Sequence, residues 1–266
     1  MTQVGHAKIP ATGWAGQDNS REQSAMLRLD PFEARRFGFL TGRVVIEHEC
    51  PIDMAALLEA CRTAGVRMLT ARCDIRNIKA IHAAEEQGFR SMDVLVYYSC
   101  VLDRRICPSR EKTHIFQDDD LGQIRQIAQM SFGDYVSHYH TDPRLDKGKV
   151  VEGFVEWAER CCMDSSVADQ VIVTRIGGKV SGFAALKQLS DTEGEGILYA
   201  VHPSARGRGV YRALIADGKQ WCEQRKLSRM IYSTQLANMS VHRPLSSAGF
   251  YIDKSYVTFH RWFDDD

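Results

Sequence analysis

The residues best suited to chemistry lie between Val201 and Ile215, in VHPSARGRGVYRALI. Pro203 stops a strand pattern, a Gly-rich basic turn follows, and a helix pattern begins near Val210. That order aims free backbone N–H groups at an anion. The first turn of a helix leaves about four donors unpaired, and the helix dipole adds partial positive charge. Gly207 and Gly209 lack Cβ atoms, so the main chain can wrap closely round phosphate oxygens. Arg206 and Arg208 can add charge-assisted contacts. A solvated basic turn is the plainer alternative. The loop is not a P-loop or a dinucleotide fingerprint, since neither G-x-x-x-x-G-K-[ST] nor G-x-G-x-x-G occurs.

The basic turn must act locally. Lys plus Arg equals Asp plus Glu, 34 each, so the chain lacks the broad positive field that nucleic-acid binding needs. A second polar stretch, SHYHTDPR, holds His138, His140, Asp142 and Arg144. Its two histidines alternate and no matching cluster occurs elsewhere, which disfavours a metal; a polar substrate loop or a plain surface loop remains. Trp157 can stack on a ring or fill the core. The eight cysteines form no C-x-x-C pair and mostly sit in apolar runs, which argues for reduced, buried thiols in a cytoplasmic protein.

These residues need elements to hold them. With 44% hydrophobic residues the 266-residue chain can build a large core. The first 24 residues are polar with Gly and Pro and read as a mobile arm, without the pattern of a secretory signal. No run approaches the roughly 20 apolar residues of a membrane span. Residues 26–49 read as extended, with GRVVIE the clearest strand; IDMAALLEACRTAG is a helix, RMLTARC a strand, NIKAIHAAEEQGF a helix and SMDVLVYYSCVL a long strand. Residues 104–117 read as a linker. Helices follow over DDDLGQIRQIAQMSF and VVEGFVEWAERCCM, with SHYHTDPRLDKG a loop between them. QVIVTRIGGKVSGFAAL is a hairpin turning at Gly177-Gly178. Then come strand GILYAVHP, helix VYRALIADGKQWCEQRK, strand RMIYSTQ, helix NMSVHRPLSSAGF and strand YIDKSYVTFHRWF, with a solvated tail from Asp264. Asn77 and Asn238 each precede a Gly-Phe pair by eleven residues, an echo that is either chance or the mark of two related halves.

YAVHPSARGRGVYRALI resembles motif A of the GCN5-related N-acetyltransferase (GNAT) superfamily, whose [Q/R]-x-x-G-x-[G/A] loop binds the pyrophosphate of acetyl-coenzyme A. Arg206 and Gly209 match the first two fixed positions, and Tyr211 stands where Gly or Ala is expected. NMSVHRPLSSAGF resembles motif B, and the likeness covers about Asp119 to Phe263. The βαβαβ first half, with SFGDYVSHYHTDPRL, EWAERC and SYVTFHRWF, is similar to nucleotide-sugar N-acetyltransferases of the TDP-fucosamine type. There an incomplete acetyltransferase-like half precedes a complete one. The resemblance implies a mixed-sheet α/β GNAT fold, with an arm at 1–24, a partial half at 25–104, a linker at 105–118 and a catalytic domain at 119–266. It implies acetyl transfer from acetyl-coenzyme A, without a metal, to the amine of a small molecule, such as a nucleotide-linked amino deoxysugar destined for cell-surface polysaccharide. Proteins, peptides and metabolite amines are alternative acceptors, and a non-catalytic coenzyme sensor is a further reading. No nucleic acid is implied, and a homodimer is left open.

By the same resemblance, backbone groups of Tyr199 and Val201 pair with the pantetheine arm. Arg206, Gly207, Arg208, Gly209, Val210 and Tyr211 surround the diphosphate, and Asn238 completes the coenzyme site. Many relatives carry a Tyr proton donor seven residues after the motif B Asn; here that position is Leu245. His242, Ser246 and Tyr211 are the substitutes, unless water or the reacting ammonium supplies the proton. If a nucleotide sugar is the acceptor, Arg144 would meet a phosphate and Asp142 a hydroxyl or the amine, with His138 and His140 beside them.

Overall fold

The structure is a computed structural model that describes residues 26–102 and 113–264. The arm read at 1–24, Cys107 and Asp265–Asp266 lie outside the described residues. Strand β1 (Arg28–Leu29) leads into helix α1 (Pro31–Phe37). This helix replaces the extended reading of the region. Asp30 caps it by accepting from Glu33 N, Pro31 takes the first turn, and Gly38 ends it at φ +83°. Strand β2 (Thr41–Ile46), helix α2 (Met54–Thr63), strand β3 (Met68–Asp74), helix α3 (Ile78–Glu86) and strand β4 (Arg90–Val101) follow as the hydrophobic spacing predicts.

The segment read as a linker contributes an edge strand, β5 (Thr113–Ile115), paired with β6 (Gln170–Ile176). Helices α4 (Leu121–Gly133), α5 (His138–Thr141) and α6 (Lys147–Met163) come next. Helix α5 corrects the expected loop, and its His138 and Tyr139 are buried. Strand β7 (Lys179–Gln188) closes the expected hairpin with β6. Strand β8 (Glu193–Val201), helix α7 (Val210–Gln224), strand β9 (Arg229–Gln235), helix α8 (Met239–Ser247) and strand β10 (Tyr251–Trp262) complete the chain. Pro244 sits inside α8 without ending it. Asp264, expected in a free tail, pairs with Arg67 and Arg144.

All ten strands form one sheet in the order β1-β2-β3-β10-β4-β9-β8-β7-β6-β5. Its centre repeats. The units β2-α2-β3-α3-β4 and β8-α7-β9-α8-β10 each start with a parallel strand pair joined by a helix. Each unit then sends its last strand across to the other: β10 lies antiparallel against β3, and β4 against β9. Both Gly-Phe pairs play the same part. Gly88 and Gly249 turn at φ +74° and +86°, and Phe89 and Phe250 are buried behind them. Helices α2 and α3 cover one core, α7 and α8 a second on the same plan, and α4 and α6 a third on the opposite face. The described cysteines are all unpaired, five of them buried. Among the described residues no helix is long and apolar enough to cross a membrane.

Candidate active site

Strands β8 and β9 pair only from Glu193–Arg229 to Gly196–Tyr232. Beyond that point each keeps its outer partner, β7 or β4, and the two splay apart. A bulge at Ile197 helps: Leu186 faces Gly196 while Ala185 already faces Leu198, so β8 bends at the mouth of the gap. Past the bulge, His202 N donates to Ser181 O at 2.9 Å, on the β7 side. Strand alternation therefore turns the N–H groups of Val201 and Tyr199 the other way, into the gap. The Val201 carbonyl accepts from Ser131 Oγ on α4 at 3.1 Å.

The gap leads to the start of α7. Gly209 is the N-cap, at φ +84°, and no side chain caps the first turn, so its donors are open. Gly207 has φ +75°. A Cβ at either glycine would meet nothing within 4 Å, so left-handed backbone, not crowding, is what calls for glycine. A chamber of about 590 Å³ runs from this loop into the gap. Tyr199, Val201, Arg206, Gly207, Gly209, Val210, Tyr211 and Asn238 all line it, so eight residues singled out in the sequence meet in one cavity. Arg208 is exposed and is not among the lining residues. Asn238 donates to Thr234 Oγ1 at 3.1 Å and accepts from Ser240 Oγ.

A smaller chamber of about 90 Å³ adjoins the first and shares Tyr135, Tyr199, Tyr211 and Asn238 with it. Phe132, Phe154 and Trp157 form its apolar side, Ser233 and Gln235 of β9 its polar side, and Arg72 reaches it from β3. Where the chambers meet, Tyr211 Oη donates to Tyr232 Oη at 2.6 Å. Burial pushes both phenols up, so both stay protonated near neutral pH. Tyr232 faces Gly196 at the last pair before the splay. Its hydroxyl accepts from Tyr211 and keeps its own proton to donate, more strongly for being polarised. Tyr199 cannot do this, because its hydroxyl is wedged under α7, where a Cβ on Gly218 would come within 2.6 Å of it. Tyr232 is the residue that sequence reasoning missed.

Glu195, a buried acid, lines neither chamber but lies nearby on β8. It opposes Lys187 in β7, as Leu198 opposes Ala185, so Glu195 shares a face of β8 with Leu198, a wall of the smaller chamber. Burial, with Glu193 adding, pushes its carboxyl up to about 8. A buried acid beside a gap in a strand is the signal, but the gap is visible only in three dimensions.

The other expected residues sit elsewhere. Both ring nitrogens of His242 are engaged, Nδ1 with Tyr98 Oη at 2.9 Å and Nε2 with Leu236 O at 2.8 Å, and neither chamber is lined by it. Ser246 is exposed and off both chambers, while Leu245 is fully buried in the core under α7 and α8. His138 and Asp142 belong to a buried chain in which His138 Nδ1 meets His260 Nε2 at 2.8 Å. His260 Nδ1 and Trp262 Nε1 in turn bond Asp142 Oδ2, at 2.7 and 2.9 Å. Burial drives His138 well below the ordinary histidine range. Burial alone would raise Asp142, but its bonds from His260, Trp262 and Arg144 hold it below the usual carboxylate range. His140 bonds Ser137 Oγ and stacks on Phe154. Arg144 lies 4.1 Å over the Trp262 ring and pairs with Asp264. None of these four lines either chamber. No group of three or more His, Cys, Asp or Glu side chains that could hold a metal occurs among the described residues.

Residues 124–250 match the acetyltransferase (GNAT) family. No curated protein shows significant sequence similarity to the chain. Solved structures share its fold at low identity. A GCN5-related N-acetyltransferase from Sphaerobacter thermophilus superposes with a TM-score of 0.62 at 15% identity, over 90% of this chain and 76% of that one. A functionally unknown conserved protein from Staphylococcus epidermidis gives 0.62 at 10%, over 93% and 94%. A tandem GNAT protein from the clavulanic acid biosynthesis pathway gives 0.53 at 12%, over 85% and 76%. The uncapped helix start and the splayed strands fall inside residues 124–250, the segment that matches the acetyltransferase (GNAT) family, and the chain is an acyl-CoA-dependent transferase.

Proposed function

We propose that the protein transfers an acetyl group from acetyl-coenzyme A to the primary amine of a small molecule held in the smaller chamber. The observation that carries this is the continuity of the splay beyond Gly196–Tyr232 with the uncapped start of α7. The first-turn N–H groups of Val210, Tyr211 and Arg212, with Arg206, hold the diphosphate. Tyr199 and Val201 offer N–H groups to the pantetheine arm, as an edge strand would. Bound there, the coenzyme supplies an activated acetyl thioester. Tyr232, backed by Tyr211, gives a hydrogen bond and then a proton to the departing sulfur, and Glu195, which lines neither chamber, takes the proton of the incoming ammonium by relay through water. Alignment of the two reactants at the junction supplies much of the rate, since well-oriented pairs reach effective molarities of about 10⁵ M or more.

The repeat about β10 and β4 supports reading the chain as two related halves with the second one catalytic, and the likeness to a tandem GNAT protein agrees. A nucleotide-linked amino deoxysugar is the acceptor that the sequence likeness of the first half suggests. His138, His140, Asp142 and Arg144 lend it no support, because they line neither chamber. The test is thiol release from acetyl-coenzyme A across a panel of amino acids, polyamines, amino sugars and nucleotide-linked amino sugars, with mass spectrometry of the product. Release with at least one amine is expected. Coenzyme binding without release for any amine would support a sensor instead.

A further inference from the structure

We infer that the acceptor carries a carboxylate as well as its amine, and that Arg72, from the first half, binds it. This rests on the acetyl-transfer reading of the same chambers. Arg72 lies on β3, three strands away from β9, yet it lines the smaller chamber together with Leu95, Ser233 and Gln235. Register explains how. Thr258 of β10 faces Arg72 on one side and Asp93 of β4 on the other, so the three side chains stand in a row on one face of the sheet. The strand exchange therefore carries an arginine of the first half to the acceptor side of the second.

That arginine is short of partners. Its Nε is buried and has no hydrogen-bond partner among the described residues. The residue as a whole is half-buried, and planar two-point pairing with a carboxylate is what a guanidinium does best. Its protein neighbours do not fill that need. Tyr97 accepts a hydrogen bond from it, but burial keeps that phenol protonated and neutral. His138 is neutral. Asp93 is the acid of the row. Both of its oxygens are buried without a well-formed hydrogen bond, and burial raises its pKa, with Thr258 and Arg72 opposing. The remainder of the chamber suits a short molecule: aromatic walls from Phe132, Phe154 and Trp157, polar groups on Ser233 and Gln235, and a volume of about 90 Å³. An amino acid, or another short aminocarboxylate, has its two charged groups and its carbon body in that arrangement. An amine whose anion is a phosphate on a sugar shares the charge but is bulkier than the chamber favours.

The experiment uses matched pairs: amino acids against their carboxamides and against the amines lacking the group, plus glucosamine and glucosamine 6-phosphate, with coenzyme affinity measured alongside. Amino acids should exceed their amides in kcat/KM by about a hundredfold, most of it in KM, as a charge-assisted pair predicts. Arg72→Gln should lower kcat/KM far more for the amino acids than for the amides and so erase that difference, with coenzyme Kd read alongside; Arg72→Lys should restore part of it. Acetylation of amides as good as that of amino acids would overturn the inference, as would preference for the sugar phosphate. So would failure of every amino acid as substrate while coenzyme binds, or equal losses in Arg72→Gln for both members of each pair. Absence of coenzyme binding in the unaltered protein would sink the acetyl-transfer reading itself.

Discussion

The two repeating units of the sheet differ most where they correspond. In the first, β2 and β3 stay paired through all six residues from Thr41–Met68 to Ile46–Cys73. Asp53 caps α2 by accepting from Ala56 N at 2.9 Å. Asn77 donates to the carbonyls of Glu47 and Cys50 and accepts from Ala80 N. In the second unit β8 and β9 part after four pairs, Gly209 leaves α7 uncapped, and Asn238 makes no cap. The backbone demand is the same in both, because every strand edge and helix start must find partners. One unit meets it from its own side chains and is closed. The other leaves it unmet, open to a ligand with acceptors in the right places. A binding site here is an omission of caps and ladder bonds on a plan that otherwise repeats.

The sharpest way to break this contrast is to give the second unit an acid where the first has one. Gly209→Asp puts a carboxylate at the head of α7, in competition with the diphosphate, at a position where Asp tolerates the left-handed backbone better than most residues. Coenzyme Kd should rise on the order of a thousandfold through lost charge-assisted bonds and like-charge repulsion, read by calorimetry. An unchanged Kd would place the diphosphate elsewhere.

Next in size is the chemistry at the junction. Tyr232→Phe should lower kcat about a hundredfold with coenzyme Kd unmoved, and Tyr211→Phe should cost less, since it acts through Tyr232. Equal kcat in Tyr232→Phe and the unaltered enzyme would return the proton to water. His242→Gln is the control: both of its nitrogens serve Tyr98 and Leu236, so kcat should stay within about twofold.

These expectations show what the sequence made legible. The helices with regular apolar spacing and the strands flanked by Gly or Pro were readable, and so was the Gly-rich turn at the head of α7, because its signal is local: Pro203, two glycines, then a helix. Helix α1 was not, since Phe32 and Phe37 lie five apart and hide the period that Asp30 and Pro31 announce. The acceptor side was not, because its parts are brought together by strand order. Arg72, Leu198 and Tyr232 come from three strands, and the insertion of β10 between β3 and β4 leaves no local mark. His138 and Asp142 read as part of a substrate or surface loop for the same reason, their partners His260 and Trp262 being more than a hundred residues on.

Glu195 gives a smaller and pH-dependent contrast, because at the corresponding third pair of strands the first unit has Arg43. Folded, its carboxyl holds its proton to about 8; its ordinary value is 4.5. The unfolded chain therefore releases a proton that the folded one keeps, and stability falls as pH rises from about 4.5 to about 8, then levels off. As a base Glu195 must be ionised, so kcat/KM should climb through the same region near pH 8. Glu195→Gln should flatten both curves, raising stability at pH 8 by a few kcal/mol while lowering the rate. Denaturant melts and rate profiles on the two proteins check this, and a rate profile that keeps its limb in the variant would assign the titration to another group.

The smallest effect falls on the closed unit. Asn77→Ala removes the cap of α3 and the two bonds that tie it to the turn after β2, and should cost about 1–2 kcal/mol of stability. It should leave coenzyme Kd and kcat unchanged, because no described contact of Asn77 reaches either chamber. Asn238→Ala should do the reverse. It caps nothing, so stability should hardly move, but it lines both chambers and should raise KM or Kd several-fold. Were the two substitutions to behave alike, the division between a unit that satisfies itself and one that waits for its ligand would fail at the one residue type they share.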